Sequence, residues 1–188
     1  MLSSLSYLHQ QEMDLHTYLQ LFTKTHTVKT YLEIGSREGD SLKRVVVDNS
    51  NLINIIVADM WGGFYGGSAR HSHNHIAKML EDINYQHSIT YLDGDSKKTI
   101  PTLMDKYLNY FDLILVDGDH SYEGGMIDLI NVLPLCKSGG SILFHDICHP
   151  QHKYLDQCFD EFIHKHKDQI LSSEKITDEL GIGVMIKR

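Results

Sequence analysis

Cysteine is scarce in this chain. Cys136, Cys148 and Cys158 form an odd set with no Cys-x-x-Cys pair. That excludes a disulfide framework and predicts a reduced, cytoplasmic protein with thiols in its core. Long apolar runs are also missing. No stretch reaches the length of a membrane span, and no basic flank precedes an apolar segment at the N-terminus, so neither a membrane partner nor a signal peptide is expected. Excess positive charge is absent too: 17 Lys and Arg stand against 25 Asp and Glu, for a net charge of −8 with 13 His neutral. That balance argues against nucleic acid as a partner. Internal repeats and low-complexity segments are lacking. What is present, 188 residues at 41% hydrophobic, suits one globular domain over 1–188 with a sizeable core.

The most informative stretch is 111–122, Phe-Asp-Leu-Ile-Leu-Val-Asp-Gly-Asp-His-Ser-Tyr. A continuous apolar run reads as a strand buried on both faces of a parallel sheet. It ends in Asp117, Asp119 and His120. Such a sheet binds ligands beyond the carboxyl ends of its strands, where this cluster falls.

In chain order, residues 1–25 read as a helical extension, with Leu15, Leu19 and Phe22 on one face. It either caps the sheet or covers the ligand site. Residues 28–34 read as a first strand, leading into Glu33-Ile-Gly35-Ser36-Arg-Glu-Gly39-Asp40 and a helix over 42–47. A strand, a glycine turn and a helix N-terminus make a nucleotide-type site, because glycine lets backbone approach a ligand and the helix offers free N–H groups. The order Glu-x-Gly-x-x-x-Gly is not the dinucleotide fingerprint. An acid two residues before the first glycine repels a pyrophosphate but suits an ammonium group. Residues 52–58 form a second strand ending in Asp59, which either binds ribose hydroxyls or serves as a turn residue.

The loop over 60–68, rich in glycine with Trp61, Phe64 and Tyr65, reads as a cover for a substrate or as an exposed connection. His71, His73 and His75 alternate, a spacing that does not put all three on one helix face. Ile76, Met79, Leu80 and Ile83 mark a core-facing helix. A third strand over 87–92 precedes Asp95 and Ser96, which could bond a base edge or cap a helix. That helix carries Ile100, Leu103, Met104 and Tyr107, with Pro101 placed in its first turn. After the fourth strand, a helix is expected to bury Met126, Ile130 and Leu133, with Pro134 and Gly139-Gly140 ending the unit. A fifth strand over 141–144 ends in His145-Asp146. A helix with Leu155, Phe159 and Phe162 follows, then strands over 170–176 and 181–187 with no helix between them. Five alternations of strand and helix predict an α/β, Rossmann-like, doubly wound, three-layer αβα fold. The last two strands close it as an antiparallel hairpin at the sheet edge, giving a seven-stranded sheet, mostly parallel with an antiparallel C-terminal strand.

These residues carry a family resemblance. The chain resembles the class I S-adenosylmethionine-dependent methyltransferases through Glu33-Ile-Gly35-Ser36-Arg37-Glu38-Gly39, Asp59, Asp95-Ser96 and the terminal hairpin. Within that fold it is similar to the small O-methyltransferases with Asp-Gly-Asp-His-Ser-Tyr-Glu and Gly-Gly-x-x-x-Phe-His-Asp, the macrocin-type and cephalosporin-hydroxylase-like group. The resemblance implies that Glu33, Gly35, Ser36 and Gly39 face the methionine part of the cofactor. It implies that Asp59, with Met60 beside it, holds the ribose and that Asp95 and Ser96 face the adenine. Asp117 would stand at the junction of cofactor and acceptor. Metal-dependent relatives imply a divalent ion, Mg²⁺ or Mn²⁺, on Asp117, His145 and Asp146. His145 departs from the usual acid, and an imidazole tolerates softer ions.

The implied reaction moves a methyl group from a sulfonium to a hydroxyl of a small molecule such as a sugar. His120 stands where catechol-type relatives carry a lysine, so it serves either as general base or to orient Asp119. Two other functions stay open: a cofactor-binding protein without methyl transfer, and a hydroxylase-like enzyme on the same scaffold. The acceptor and the oligomeric state, a homo-oligomer included, are not legible.

Overall fold

The computed structural model describes residues 12–47, 49–61 and 72–188. Seven strands run β1 (Thr30–Ile34), β2 (Asn54–Asp59), β3 (Ser88–Asp93), β4 (Phe111–Val116), β5 (Cys136–His145), β6 (Ile170–Ile176) and β7 (Ile182–Lys187). They form one sheet in the order β3-β2-β1-β4-β5-β7-β6. β1 to β5 pair in parallel, and β7 lies antiparallel to both β5 and β6. The doubly wound sheet and its closing hairpin are as the sequence predicts.

Both faces are covered because successive strand residues point to opposite sides. One face takes Leu32, Ile34, Ile114, Val116 and Ile142, against the helices α6 (Tyr122–Val132) and α7 (Tyr154–Lys165). The other takes Tyr31, Ile55, Val57, Leu113 and Leu115. It packs against α1 (Leu15–Thr25), α2 (Asp40–Val46) and α3 (His73–Asp82). Burying a side chain such as Leu19 or Leu42, each fully enclosed, contributes about 1.5–3 kcal/mol. No helix among the described residues is long and apolar enough to cross a membrane.

Leu15, Leu19 and Phe22 of α1 are buried as expected. Asp14, Leu15 and His16 also line the main cavity. The helix therefore does both jobs left open by the sequence: it covers the sheet and borders the ligand site. Residues 1–11 lie outside the described residues, as do 62–71, which hold most of the expected cover loop and His71.

Three local expectations are corrected. The helix around Pro101 starts earlier, as α4 (Ser96–Thr99), tightens to a 3₁₀ turn over Ile100–Leu103, and resumes as α5 (Met104–Tyr107). Asp95 caps it, so Pro101 falls in the middle, where its missing N–H breaks the α ladder. In α6 Met126 packs on the core and Leu133 just after it is buried, as expected, but Ile130 is 46% exposed and the buried stripe also takes Gly124, Gly125, Asp128, Leu129 and Val132. The small residues at its start hide the true face from a search for apolar periodicity. Finally, Gly139-Gly140 do not end a unit but lie inside β5, where the register with β4 shifts. Gly139 supplies the positive φ that this irregularity needs.

Candidate active site

The order of strands reverses direction between β1 and β4. Ligands in such sheets bind at this switch point, beyond the carboxyl ends. A cavity of about 840 Å³ opens there, bordered by residues that follow β1, β2, β3, β4 and β5. Its size suits a cofactor plus part of a small substrate, since ligand pockets run to roughly 300–1,000 Å³.

The β1–β2 side is shaped by backbone. Gly35 has φ 84° and its N–H donates to the Ala58 carbonyl at 2.9 Å. A Cβ there would collide with the Asp117 carbonyl. The Asp117 N–H in turn donates to the Ile34 carbonyl at 2.9 Å, so the β1 and β4 ends are drawn together only because residue 35 lacks a side chain. Ser36 is buried on the cavity wall, and its Oγ makes no hydrogen bond of good geometry among the described residues. Asp59 accepts from the N–H of Arg37 at 2.8 Å and of Trp61 at 2.7 Å, fixing the loops on either side of it. Met60, 48% exposed, borders the cavity beside it. Asp95 and Ser96 border it as well, and Asp95 also caps α4 through the Lys97 N–H at 3.0 Å. The base-edge and cap readings of Asp95 are therefore compatible.

Two predicted cofactor residues are placed elsewhere. Glu33 does not line the cavity. Its carboxylate is fully buried behind the wall, accepting from Tyr31 Oη at 2.7 Å and Ser41 Oγ at 2.6 Å. β1 alternation turns it to the α1–α2 face, away from the strand end. Burial pushes its carboxyl up to about 7, against the opposing pull of those hydroxyls. Gly39 is the N-cap of α2 with φ 84°, and its missing Cβ makes room for Ile76 and Met79 of α3. Its role in the fold is packing.

The β4–β5 side is shaped by side chains, and it brings together Asp117, His120, His145 and Asp146. His145 Nδ1 lies 3.1 Å from Asp117 Oδ1 and 3.3 Å from Asp146 Oδ1. His120 Nε2 lies 3.2 Å from Asp146 Oδ2 and 3.6 Å from Asp117 Oδ1. Burial alone would raise the Asp117 carboxyl, but His120 and His145 outweigh it and hold it below the ordinary value. His120 is raised by its bond to Asp117, against desolvation. Desolvation pulls His145 down, and Asp117 and Asp146 more than reverse that. Asp146 is 5% exposed and sits at φ 65°, a left-handed conformation rare outside glycine. Asp119 turns outward to Lys97 Nζ at 2.8 Å and the Ser121 N–H at 2.9 Å. It is 124-facing as well: a Cβ on Gly124 would meet its carboxyl group. Asp119 thus ties the β4 loop to α4 and α6, and His120 pairs with Asp117 and Asp146 rather than with it. Tyr122 donates to Glu161 at 2.6 Å, fastening α6 to α7.

Several residues of the site escaped the sequence reading. Asp128 of α6 is fully buried under the β4 loop, and burial pushes its carboxyl up to about 6. No motif marks it. His149 and His152 border the cavity near His120. The recurrence of His at 145, 149 and 152 was the available signal. Desolvation, with His120 and His149 nearby, holds His152 below the ordinary imidazole value. His73 stacks on Tyr91 at 4.2 Å between centroids and lies 2.8 Å from Asp93, which also accepts from Trp61 Nε1 at 3.0 Å. That makes His73, the first residue of α3, part of an aromatic wall, and the His75 N–H donates to the cap Ser72 Oγ at 3.4 Å.

A doubly wound sheet with a cavity at its switch point, walled by a glycine turn and an acid at the end of β2, is the arrangement in which such sheets hold nucleoside-type ligands. Residues 32–147, more than half of the chain, match the model of the methyltransferase domain family. The chain belongs to that family. An uncharacterised protein of Acanthamoeba polyphaga mimivirus, R132, is 29% identical over 117 residues, covering 62% of this chain and 51% of that protein. The chain thus spans about half the length of the curated relative it matches. Among solved structures, the O-methyltransferase TomG of Streptomyces achromogenes, in complex with S-adenosylmethionine, superposes with a TM-score of 0.68 at 16% identity. That match covers 92% of this chain and 78% of TomG. An O-methyltransferase of Bacillus cereus in complex with S-adenosylhomocysteine gives 0.69 at 15% identity, covering 98% and 86%. At these identities the likeness establishes the fold.

Proposed function

We propose that the chain transfers a methyl group from S-adenosylmethionine to a hydroxyl of a small molecule such as a sugar, assisted by a divalent ion. The observation that carries this reading is one cavity with a cofactor-type wall on one side and an acid–imidazole cluster on the other. The residues fit both absent groups. Ser36 Oγ is a buried polar atom on the cofactor side with no hydrogen bond of good geometry among the described residues. On the other side, Asp117, His145 and Asp146 each offer a donor atom within 4.8 Å of the others. Two carboxylates and an imidazole suit Mn²⁺ or Mg²⁺. The O-methyltransferase names of the structural neighbours point the same way.

When bound, the cofactor supplies a methyl group on a sulfonium leaving group, and the ion lowers the pKa of an acceptor hydroxyl. The chain supplies position and proton transfer. Gly35 and Ser36 present backbone and hydroxyl to the methionine part. Asp59 faces the ribose, and Asp95 with Ser96 faces the adenine. Asp117, His145 and Asp146 hold the ion. His120 Nε2 takes the hydroxyl proton, and the carboxylates of Asp117 and Asp146 stabilise the imidazolium so formed. Holding donor and acceptor in line is the larger contribution, because methyl transfer needs no other covalent help from the protein.

The test is calorimetry with S-adenosylhomocysteine, followed by a labelled-methyl assay on a panel of hydroxylated small molecules with and without Mg²⁺ or Mn²⁺. Micromolar-range binding and metal-stimulated transfer are expected. Binding without turnover across the panel would leave a cofactor-binding protein, and no binding at all would sink the reading.

A further inference from the structure

Asp146 belongs to two clusters at once. Its Oδ1 lies toward His145, and its Oδ2 lies toward His120. The second cluster is His120, Asp146 and His152, each offering a donor atom within 4.8 Å of the others. The geometry points to a second cation site on these three residues, chemically distinct from the first, that takes a borderline-soft divalent ion of the zinc class.

Three observations support it. The donor set is two imidazoles and one carboxylate, which suits Zn²⁺ or Co²⁺ and disfavours Mg²⁺. The spacing is close to what such an ion needs. Donors about 2.0–2.2 Å from a tetrahedral ion stand roughly 3.3–3.5 Å apart, and His120 Nε2 and Asp146 Oδ2 already stand 3.2 Å apart. Asp146 is also nine-tenths buried at the cavity wall, with Oδ2 turned to His120 at 3.2 Å and Oδ1 beside His145 at 3.3 Å. A buried carboxylate carries a desolvation cost that a cation on its Oδ2 offsets.

The ring arrangement helps. His152 packs against His120 at 4.5 Å between centroids and against His149 at 4.3 Å. His149 is held by the Gln151 N–H on its Nδ1 at 3.1 Å, so it buttresses His152 rather than joining the trio. The backbone N–H of His152 donates to the His149 carbonyl at 3.0 Å, which fixes the turn that carries the ligand. An ion seated here occupies His120 Nε2. This further consequence rests on the base role proposed for His120: zinc-class ions then inhibit methyl transfer by occupying the proton acceptor, while Asp146 remains shared with the first ion.

The experiment titrates Zn²⁺ by calorimetry, and Co²⁺ by its visible absorption, into the wild-type chain, His152→Ala and His145→Ala. Thermal melts confirm that each variant is folded. Expected are Zn²⁺ binding and tetrahedral-type Co²⁺ bands in the wild type, with at least about a tenfold loss of affinity in His152→Ala and a much smaller one in His145→Ala. Equal binding in the wild type and His152→Ala overturns the site. So does a loss confined to His145→Ala, which assigns the ion to the other cluster. S-adenosylhomocysteine binding in the same preparation separates the two ideas. Zn²⁺ binding without it keeps the ion site while the methyltransferase reading falls, and the reverse result does the opposite. In the activity assay, zinc inhibition that persists unchanged in His152→Ala removes the inhibitory role.

Discussion

The β1–β2 side of the cavity is made of backbone, and the β4–β5 side is made of side chains. On the first, the shape comes from the Gly35 turn and from N–H groups bonded to Asp59. On the second, four ionisable groups face one another within 3.1 to 3.6 Å. A backbone-built wall resists change, because the bonds that shape it depend on side-chain identity only at the glycine and at Asp59, whose carboxylate accepts two of them. A side-chain-built wall can change its chemistry by single substitutions. His145, standing where the resemblance leads one to expect an acid, is such a change. On the proposed function, cofactor binding sits on the rigid side and the ion and proton chemistry on the adjustable side.

That contrast can be broken experimentally. The largest effect is expected from Gly35→Ala. A Cβ at φ 84° against the Asp117 carbonyl should cost about 3 kcal/mol or more, visible as a lower Tm and loss of S-adenosylhomocysteine binding. Normal stability would show that the β1–β4 approach is not tight. Next, His120→Ala should lower the rate of methyl transfer by about 10²–10⁴-fold with cofactor affinity unchanged. A comparable loss of cofactor affinity would show that the two sides are not separable. Asp117→Ala should abolish stimulation by Mg²⁺ or Mn²⁺, and stimulation that survives excludes Asp117 as a ligand. Asp59→Ala removes an acceptor of two backbone N–H groups. It should weaken cofactor binding by about tenfold or more, read by calorimetry, and leave metal affinity alone.

The smallest effect concerns Glu33. Burial raises its carboxyl from 4.5 to about 7, so the folded chain binds its proton more tightly than the unfolded chain. Its contribution is favourable below the ordinary value and is lost as pH rises toward about 7. Glu33→Gln should therefore flatten the fall of Tm between those pH values by roughly a few °C. An unaltered slope in pH-dependent melts would place the titration elsewhere.

The same contrast decides how much was legible beforehand. The sheet could be read because buried strands write themselves as apolar runs, and β4 and the closing hairpin are of that kind. The glycine turn could be read because only glycine permits the approach of Gly35 to Asp117. Glu33 was misplaced because a motif gives spacing but not the face to which a strand turns a side chain. Ile130 of α6 was misplaced because Gly124 and Gly125 make close contacts without an apolar signal. His152 was missed because its partners, His120 and Asp146, are brought to it only by the arrangement of β4 and β5.

One contact at the cavity rim has a consequence for the whole chain. The Met13 N–H donates to Asp178 Oδ2 at 3.0 Å, joining residues 165 positions apart. Asp14 and His16 come from one end of the sequence and Asp178 to Gly181 from the other, and both border the same opening. The Met13–Asp178 bond is a clasp that closes most of the chain into one loop. Closing a loop of that length is entropically costly but only slightly more so than closing a shorter one. The segments around Asp14 and Asp178 thus share one opening, and the bond between Met13 and Asp178 already sets the width of that side of the rim.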